Sequence, residues 1–295
     1  YEIAPSDWSS DVCSSDLTST KLSGLIGNPI QHSISPGMHN AHFRALGLNW
    51  NYFPMECELE DLKYILDGIR GMNFSGVNVT KPFKIEIMKY LDEIDALAKD
   101  IGSVNTIVKK GRSLIGYNTD GIGFYRDLVH NCNFTKDKNV LLMGAGGAGR
   151  ACAVTLAKKE RVKLFIVDEI NQRAQELAEI CDQYIDAEYI SYDDFQEMDM
   201  FPIHIFVNAT GAGMNGRLKE TPIQQEKLSG GKIAYDLSYY PNETQFLKEA
   251  RKSGLKTMNG LNMVVYQGIE AFRLWSNLCG DEKVMMDYVR SCING

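Results

Sequence analysis

Three things are scarce in these 295 residues: paired cysteines, runs of positive charge and long apolar stretches. Cys13, Cys57, Cys132, Cys152, Cys181, Cys279 and Cys292 stand singly, with no CxxC among them. A disulfide framework or a structural zinc site needs paired spacing, so these residues are read as reduced and mostly small hydrophobes. There is no block of Lys or Arg, and 31 basic against 38 acidic residues give a net charge of −7. Such a surface repels phosphodiester backbones and anionic lipid, which argues against a nucleic-acid or membrane partner. No apolar run approaches the roughly 18 residues of a membrane helix, and no charged then apolar leader opens the chain. The expectation is a cytoplasmic protein, with a length that suits two domains.

Residues 1–20 include a Ser-Ser-Asp repeat without apolar periodicity. They read as a disordered leader or a sequencing scar and are set apart from the fold. His39 and His42 form an HxxH, but the HExxH context of a metal helix is missing, so both are read as structural or surface histidines and no metal is expected.

Short apolar runs alternate with helix-period stretches from Lys21 onward. LSGLIG, Trp50 to Met55 and GVNVT (Gly76 to Thr80) read as strands, with helices over Pro36 to Leu46 and Leu59 to Arg70. Helical segments are expected after Pro82, and VNTIVKKGRSLIGYNT reads as two strands joined by a Lys-Gly turn. A second unit opens at NVLLMGAGGAGR and runs through VKLFIVD, IHIFVNAT and KIAYDLS, whose apolar strands suit a sheet covered on both faces. The fold class is therefore α/β, with an N-terminal parallel-sheet domain followed by a dinucleotide-binding domain of the Rossmann type.

Gly144-Ala145-Gly146-Gly147-Ala148-Gly149-Arg150 follows one strand and opens a helix, and a second strand ends at Asp168. Small residues let the backbone approach a pyrophosphate, and free N–H groups at the helix start bind it. Asp168 can accept hydrogen bonds from ribose hydroxyls, while Asp168 and Glu169 together would repel the extra phosphate of NADP. NAD is the favoured cofactor on this reading, with NADP as the alternative; Arg150 and Arg173 could offset part of the repulsion.

The first unit carries hydroxyls and amides instead. In Ser33-Ile34-Ser35-Pro36, Ser35 is placed as an N-cap with Pro36 at the first helical position, an anion cradle without arginine. Asn78 and Thr80 share one side of a buried strand, and Lys84 falls in the first turn of a proline-started helix. Asn105-Thr106 and Asn118-Thr119-Asp120-Gly121 place further polar groups at strand ends, a set suited to a polyhydroxylated ligand.

From about Lys21 onward the chain resembles the shikimate dehydrogenase family, including its quinate/shikimate branch. The resemblance rests on GLIGNPIQHSISPGMHN, GVNVTKPFK, SVNT, NTDG, GAGGAGR, NATGAGM, DLSYYPNET and MVVYQG, all in the family's order. It implies reversible hydride transfer between 3-dehydroshikimate and shikimate with a nicotinamide cofactor, in a monomer or homodimer. The catalytic pair would be Lys84 and Asp120. Ser33, Ser35 and Tyr239 would hold the substrate carboxylate, and Thr80, Asn105 and Gln267 its ring hydroxyls. Thr210, Leu237 and Gly260 would line the nicotinamide side of the cofactor loop.

The resemblance also implies a discontinuous substrate domain, residues 21–120 with 261–295, around a cofactor domain of 121–260. Two departures stand out: Asp168-Glu169-Ile170 replaces the family's Asn-Arg-Thr, which points away from NADP, and Gly211 replaces a serine. Quinate is the rival substrate. A nucleotide-sensing protein without catalysis is a further alternative, against which the intact Lys84 and Asp120 speak.

Overall fold

The computed structural model describes residues 19–132, 137–198, 202–214 and 216–294. Cys13 and residues 1–18 of the expected leader lie outside them. β1 (Lys21–Gly27), β2 (Trp50–Glu56), β3 (Phe74–Val79), β4 (Glu93–Ile94), β5 (Thr106–Lys110) and β6 (Ser113–Tyr117) form one sheet, in the order β2-β1-β3-β5-β6-β4. It is parallel except for β5, which runs against β3 and β6. The reversal follows from the Lys110–Ser113 hairpin, whose turn carries Gly111 at φ +61°. It sets Asn78 directly opposite Thr106.

The second sheet contains β7 (Lys138–Met143), β8 (Val162–Val167), β9 (Ala187–Tyr189), β10 (Ile205–Asn208), β11 (Ile233–Asp236) and β12 (Lys256–Met258). All its pairings are parallel, in the order β12-β11-β10-β7-β8-β9. This is the doubly wound arrangement, with its switch point between β7 and β10, where consecutive connections leave the sheet in opposite directions and open a crevice.

Period-2 alternation divides each buried strand between two apolar layers. Val140 and Leu142 join one core with Leu164, Ile166 and Val207, while Leu141 and Met143 join another with Phe165, Val167 and Phe206. The first sheet does the same, with Ile26, Val77, Val79 and Ile107 on one side and Leu25, Tyr52 and Val108 on the other.

Helix Asp120–Asn131 links the two sheets, and two glycines let it sit close to both sides. A Cβ on Gly121 would lie 2.0 Å from Thr155 Oγ1 and 2.4 Å from the Ala151 carbonyl oxygen, on helix Gly147–Lys159. A Cβ on Gly123 would lie 2.6 Å from the Met263 carbonyl oxygen, on helix Leu261–Ser276. That last helix returns to the first sheet, where Trp275 Nε1 donates to the Ile107 carbonyl at 2.9 Å.

The backbone facing Gly121 cannot rotate aside, so Gly121→Ala is expected to destabilise the fold by about 1–3 kcal/mol through overpacking. Urea unfolding measures this directly. An unchanged midpoint would show that the crossing separates freely.

Among the described residues no helix is long and apolar enough to cross a membrane, and no group of His, Cys, Asp and Glu is arranged to hold a metal ion. Cys57, Cys132, Cys152, Cys181, Cys279 and Cys292 are free thiols.

Candidate active site

A cavity of about 250 Å³ takes its walls from strands of the first sheet, the segment after β11 and helix Leu261–Ser276. Ser33, Ser35, Thr80, Lys84, Asn105, Asp120, Leu237, Tyr239 and Gln267 all line it. Nine positions spread over more than 230 residues of sequence thus meet at one surface. Leu25, Ile34, Asn78, Val79, Met263 and Val264 complete the wall.

The ionic centre is Lys84 Nζ, 2.6 Å from Asp120 Oδ2, and both side chains are largely shielded from solvent. Asp120 Oδ1 accepts from Asn105 Nδ2 at 2.7 Å. The Asn105 amide is fixed in turn, because its Oδ1 accepts the Thr119 N–H at 2.7 Å and the Thr106 hydroxyl at 3.0 Å. Asn78 Nδ2 donates to Thr106 Oγ1 at 3.0 Å and to the Asn105 carbonyl at 3.2 Å. Tyr52 OH donates to Asn78 Oδ1 at 2.9 Å and ends the chain. Every member is partnered, as a buried polar network must be if it is to hold one geometry.

Tyr52 is a member that the sequence reading passed over, because WNYFPME reads as a plain strand. The available signal was alternation, which puts Tyr52 on the same face of its strand as the edge-strand residues flanking it two positions away.

Two local expectations are corrected. Lys84 does not lie in the first turn of an α-helix, for residues 81–85 form a turn that leads into a 3₁₀ segment, Glu86–Tyr90. The Lys84 carbonyl accepts the Val104 N–H at 2.8 Å, so it is engaged by the segment leading into β5 and not by a residue one helical turn on. Ser35 does not cap its helix either. Ile34 holds the N-cap position of helix Ser35–Ala45 and no side chain caps it, while Ser33 Oγ accepts the Ser35 N–H at 3.3 Å. The Ser35 hydroxyl is thereby left for the cavity. Gln267 donates to the Val264 carbonyl at 2.9 Å, and burial pushes the Tyr239 phenol above its ordinary value, so it remains a neutral donor.

A second cavity of about 230 Å³ lies at the switch point and is lined by Gly144, Asp168, Glu169, Thr210, Tyr192, Arg217 and Glu220. The glycine turn fits a pyrophosphate. Gly144 has φ +100°, and a Cβ on Gly149 would sit 1.9 Å from the Gly144 carbonyl oxygen. By contrast Gly146 and Gly147 face open space beside Ala148, at the start of helix Gly147–Lys159, where no side chain caps the N–H groups. Asp168 accepts the Ala145 N–H at 2.7 Å and the Ile170 N–H at 2.9 Å. Each of its oxygens keeps a lone pair for a ribose hydroxyl.

Thr210 is held by Asn208, whose Oδ1 accepts both its N–H and its hydroxyl, at 3.0 and 2.7 Å. Gly260 packs against the Leu237 carbonyl, where a Cβ would come within 2.1 Å. Arg150 points elsewhere: its Nε donates to the Ile101 carbonyl at 2.9 Å, at the end of helix Ala96–Ile101. Tyr192, Arg217 and Glu220 were not foreseen, since an isolated loop residue carries no periodic signal.

Residues 25–107 match the family model described as the shikimate dehydrogenase substrate binding domain, and residues 128–241 match the one described as shikimate / quinate 5-dehydrogenase. The chain belongs to the shikimate dehydrogenase family. It is 43% identical over 273 residues to a shikimate dehydrogenase (NADP(+)) of Methanocaldococcus jannaschii, covering 92% of this chain and 96% of that one. Shikimate 5-dehydrogenase from Listeria monocytogenes, solved with shikimate and NAD, superposes with a TM-score of 0.85 at 34% identity, covering 93% and 96% of the two chains. The Thermus thermophilus enzyme, solved with NADP(H) and shikimate, gives 0.82 at 34% identity, covering 92% and 98%. This family member thus has Ser33, Ser35, Thr80, Lys84 and Asn105 within the segment matching the substrate-binding model, and the glycine turn within the other.

Proposed function

We propose that this chain is a shikimate dehydrogenase, reducing 3-dehydroshikimate reversibly to shikimate with a nicotinamide dinucleotide. The observation that carries the reading is the Lys84–Asp120 pair at 2.6 Å, in the cavity that also gathers Ser33, Ser35, Tyr239 and Gln267. Residues 21–120 with 261–295 serve as the substrate unit and 121–260 as the cofactor unit.

Hydroxyls of Ser33 and Ser35 with the Tyr239 phenol hold the substrate carboxylate, and Thr80, Asn105 and Gln267 hold its ring hydroxyls. The glycine turn from Gly144 to Gly149 would hold the pyrophosphate, Asp168 the ribose, and Thr210, Leu237 and Gly260 the side facing the substrate. When bound, the dinucleotide supplies or accepts the hydride at the carbinol carbon. Lys84 Nζ gives its proton to the oxygen as the ketone becomes an alcohol, and takes one back in the reverse direction. Asp120, aimed by Asn105, keeps the ammonium in register.

Purified protein is tested by following nicotinamide absorbance with shikimate, with quinate run alongside. Shikimate-dependent reduction of the dinucleotide is expected, and its absence with both acids would leave the nucleotide-sensing reading in its place.

For the cofactor, NAD is the preferred form on this reading. Asp168, Glu169 and Glu220 face one arginine at the ribose end, and a 2′-phosphate would add negative charge to that excess. The names of the relatives run to NADP. Asp168→Asn removes one carboxylate and one ribose acceptor, and is expected to move the NAD-to-NADP ratio of kcat/KM by about tenfold toward NADP. A ratio that stays put would remove Asp168 as the selecting group.

A further inference from the structure

Among the described residues that line the cavity at the ribose end, Arg217 is the one cation. Arg217 projects from the loop after β10, with Nε and Nη2 each 2.6 Å from Glu220 Oε2. Its Nη1 lies 3.4 Å from the Thr210 carbonyl, and the Glu169 carboxylate also bears on it electrostatically. Backbone bonds fix Arg217 and Glu220: the Gly213 N–H donates to the Arg217 carbonyl at 3.0 Å, the Arg217 N–H to the Met214 carbonyl at 2.8 Å, and the Glu220 N–H to the Arg217 carbonyl at 3.0 Å. Backbone geometry therefore presents Arg217 and Glu220 side by side at the rim, beside Asp168 and Glu169.

An ion pair with about half of each side chain in solvent is weak and exchanges readily. A phosphate carries more charge than a carboxylate and matches the planar guanidinium in two-point contact, so it competes well for the same arginine. We propose that Arg217 is the cofactor-selecting cation of this chain: it leaves Glu220 for the 2′-phosphate of NADP and stays with Glu220 when NAD binds. The Arg217–Glu220 pair then sets how far NADP competes, despite Asp168 and Glu169. This inference rests on the dinucleotide reading above.

Calorimetric titration of the full chain with NAD, NADP and 2′,5′-ADP tests it without turnover. Arg217→Gln is expected to raise the dissociation constants of NADP and 2′,5′-ADP about tenfold or more and that of NAD less than twofold. Glu220→Gln, which frees the arginine, is expected to tighten NADP and 2′,5′-ADP and leave NAD unchanged. Equal weakening of NAD and NADP in Arg217→Gln, or no change in NADP, would overturn the assignment, as would weaker NADP binding in Glu220→Gln. Wild-type protein that binds NAD but not NADP overturns it too, with the dehydrogenase reading intact. Protein that binds neither brings down that reading itself.

Discussion

Replacing Lys84 with alanine is expected to lower kcat by about 10²–10⁴-fold while KM for shikimate changes little, as befits a group whose work is proton transfer. The split follows from the geometry. Ser33, Ser35 and Gln267 reach the cavity from other segments, and the amine's bond is to Asp120 and not to them or to Thr80. Asp120 keeps Asn105 as donor at 2.7 Å, so the truncation does not strand the carboxylate. The backbone at position 84 also stays anchored, because its bond to Val104 N–H involves only the carbonyl. Lys81→Ala is the control. Its side chain is exposed and takes no part in the cavity wall, so activity should remain within about twofold of wild type, the range of a neutral surface change. Steady-state kinetics on both variants decides the matter. A large loss in Lys81→Ala with Lys84→Ala near normal would move the proton-transfer role to the wrong side of Pro82.

The cavity's polar residues were legible because they lie in short runs with conflicting demands. An amide at Asn78 inside an apolar strand, and amides clustered at Asn105 and Asn118, require partners, and the hairpin supplies them by setting Thr106 opposite Asn78. The glycine turn was legible for a similar reason, since strand, glycines and helix each limit the others. The hairpin was legible in its Lys-Gly turn, but that β5 and not β6 is the strand running against the rest of the sheet was hidden, because an apolar run carries no arrow. Lys84 was placed in a helix on the strength of Pro82, yet a long-range bond from Val104 took the carbonyl that the helix needed. Arg217 could not be seen at all: a charged loop residue gains meaning only when folding sets it beside Asp168 and Glu169.

Acidification should weaken the fold through His39, the histidine that the HxxH spacing made look like a ligand. Its ring is fully buried and neither nitrogen has a hydrogen-bond partner among the described residues. It stacks on Tyr52 with centroids 4.6 Å apart and planes 7° from parallel, beside Trp275 at 5.4 Å. Burial first, and then the nearby His42, pull its pKa down from 6.5 to about 3. An unfolded chain would take up a proton near 6.5 while the folded one refuses it, so the unfolded state binds more protons throughout the interval. Stability is then complete above about pH 6.5 and falls, by about 1.4 kcal/mol per pH unit for this group, as the pH drops toward 3. Between pH 6.5 and 5, where most carboxylates remain ionised, His39 should cost about 2 kcal/mol. Desolvation lowers His42 and His204 as well, with the same sign. Urea unfolding of wild type and His39→Phe at pH 7 and pH 5 separates the contributions, because phenylalanine keeps the stack and cannot titrate. The variant should lose markedly less between the two pH values; equal losses would mean that the ring beneath Tyr52 finds a way to accept its proton while folded.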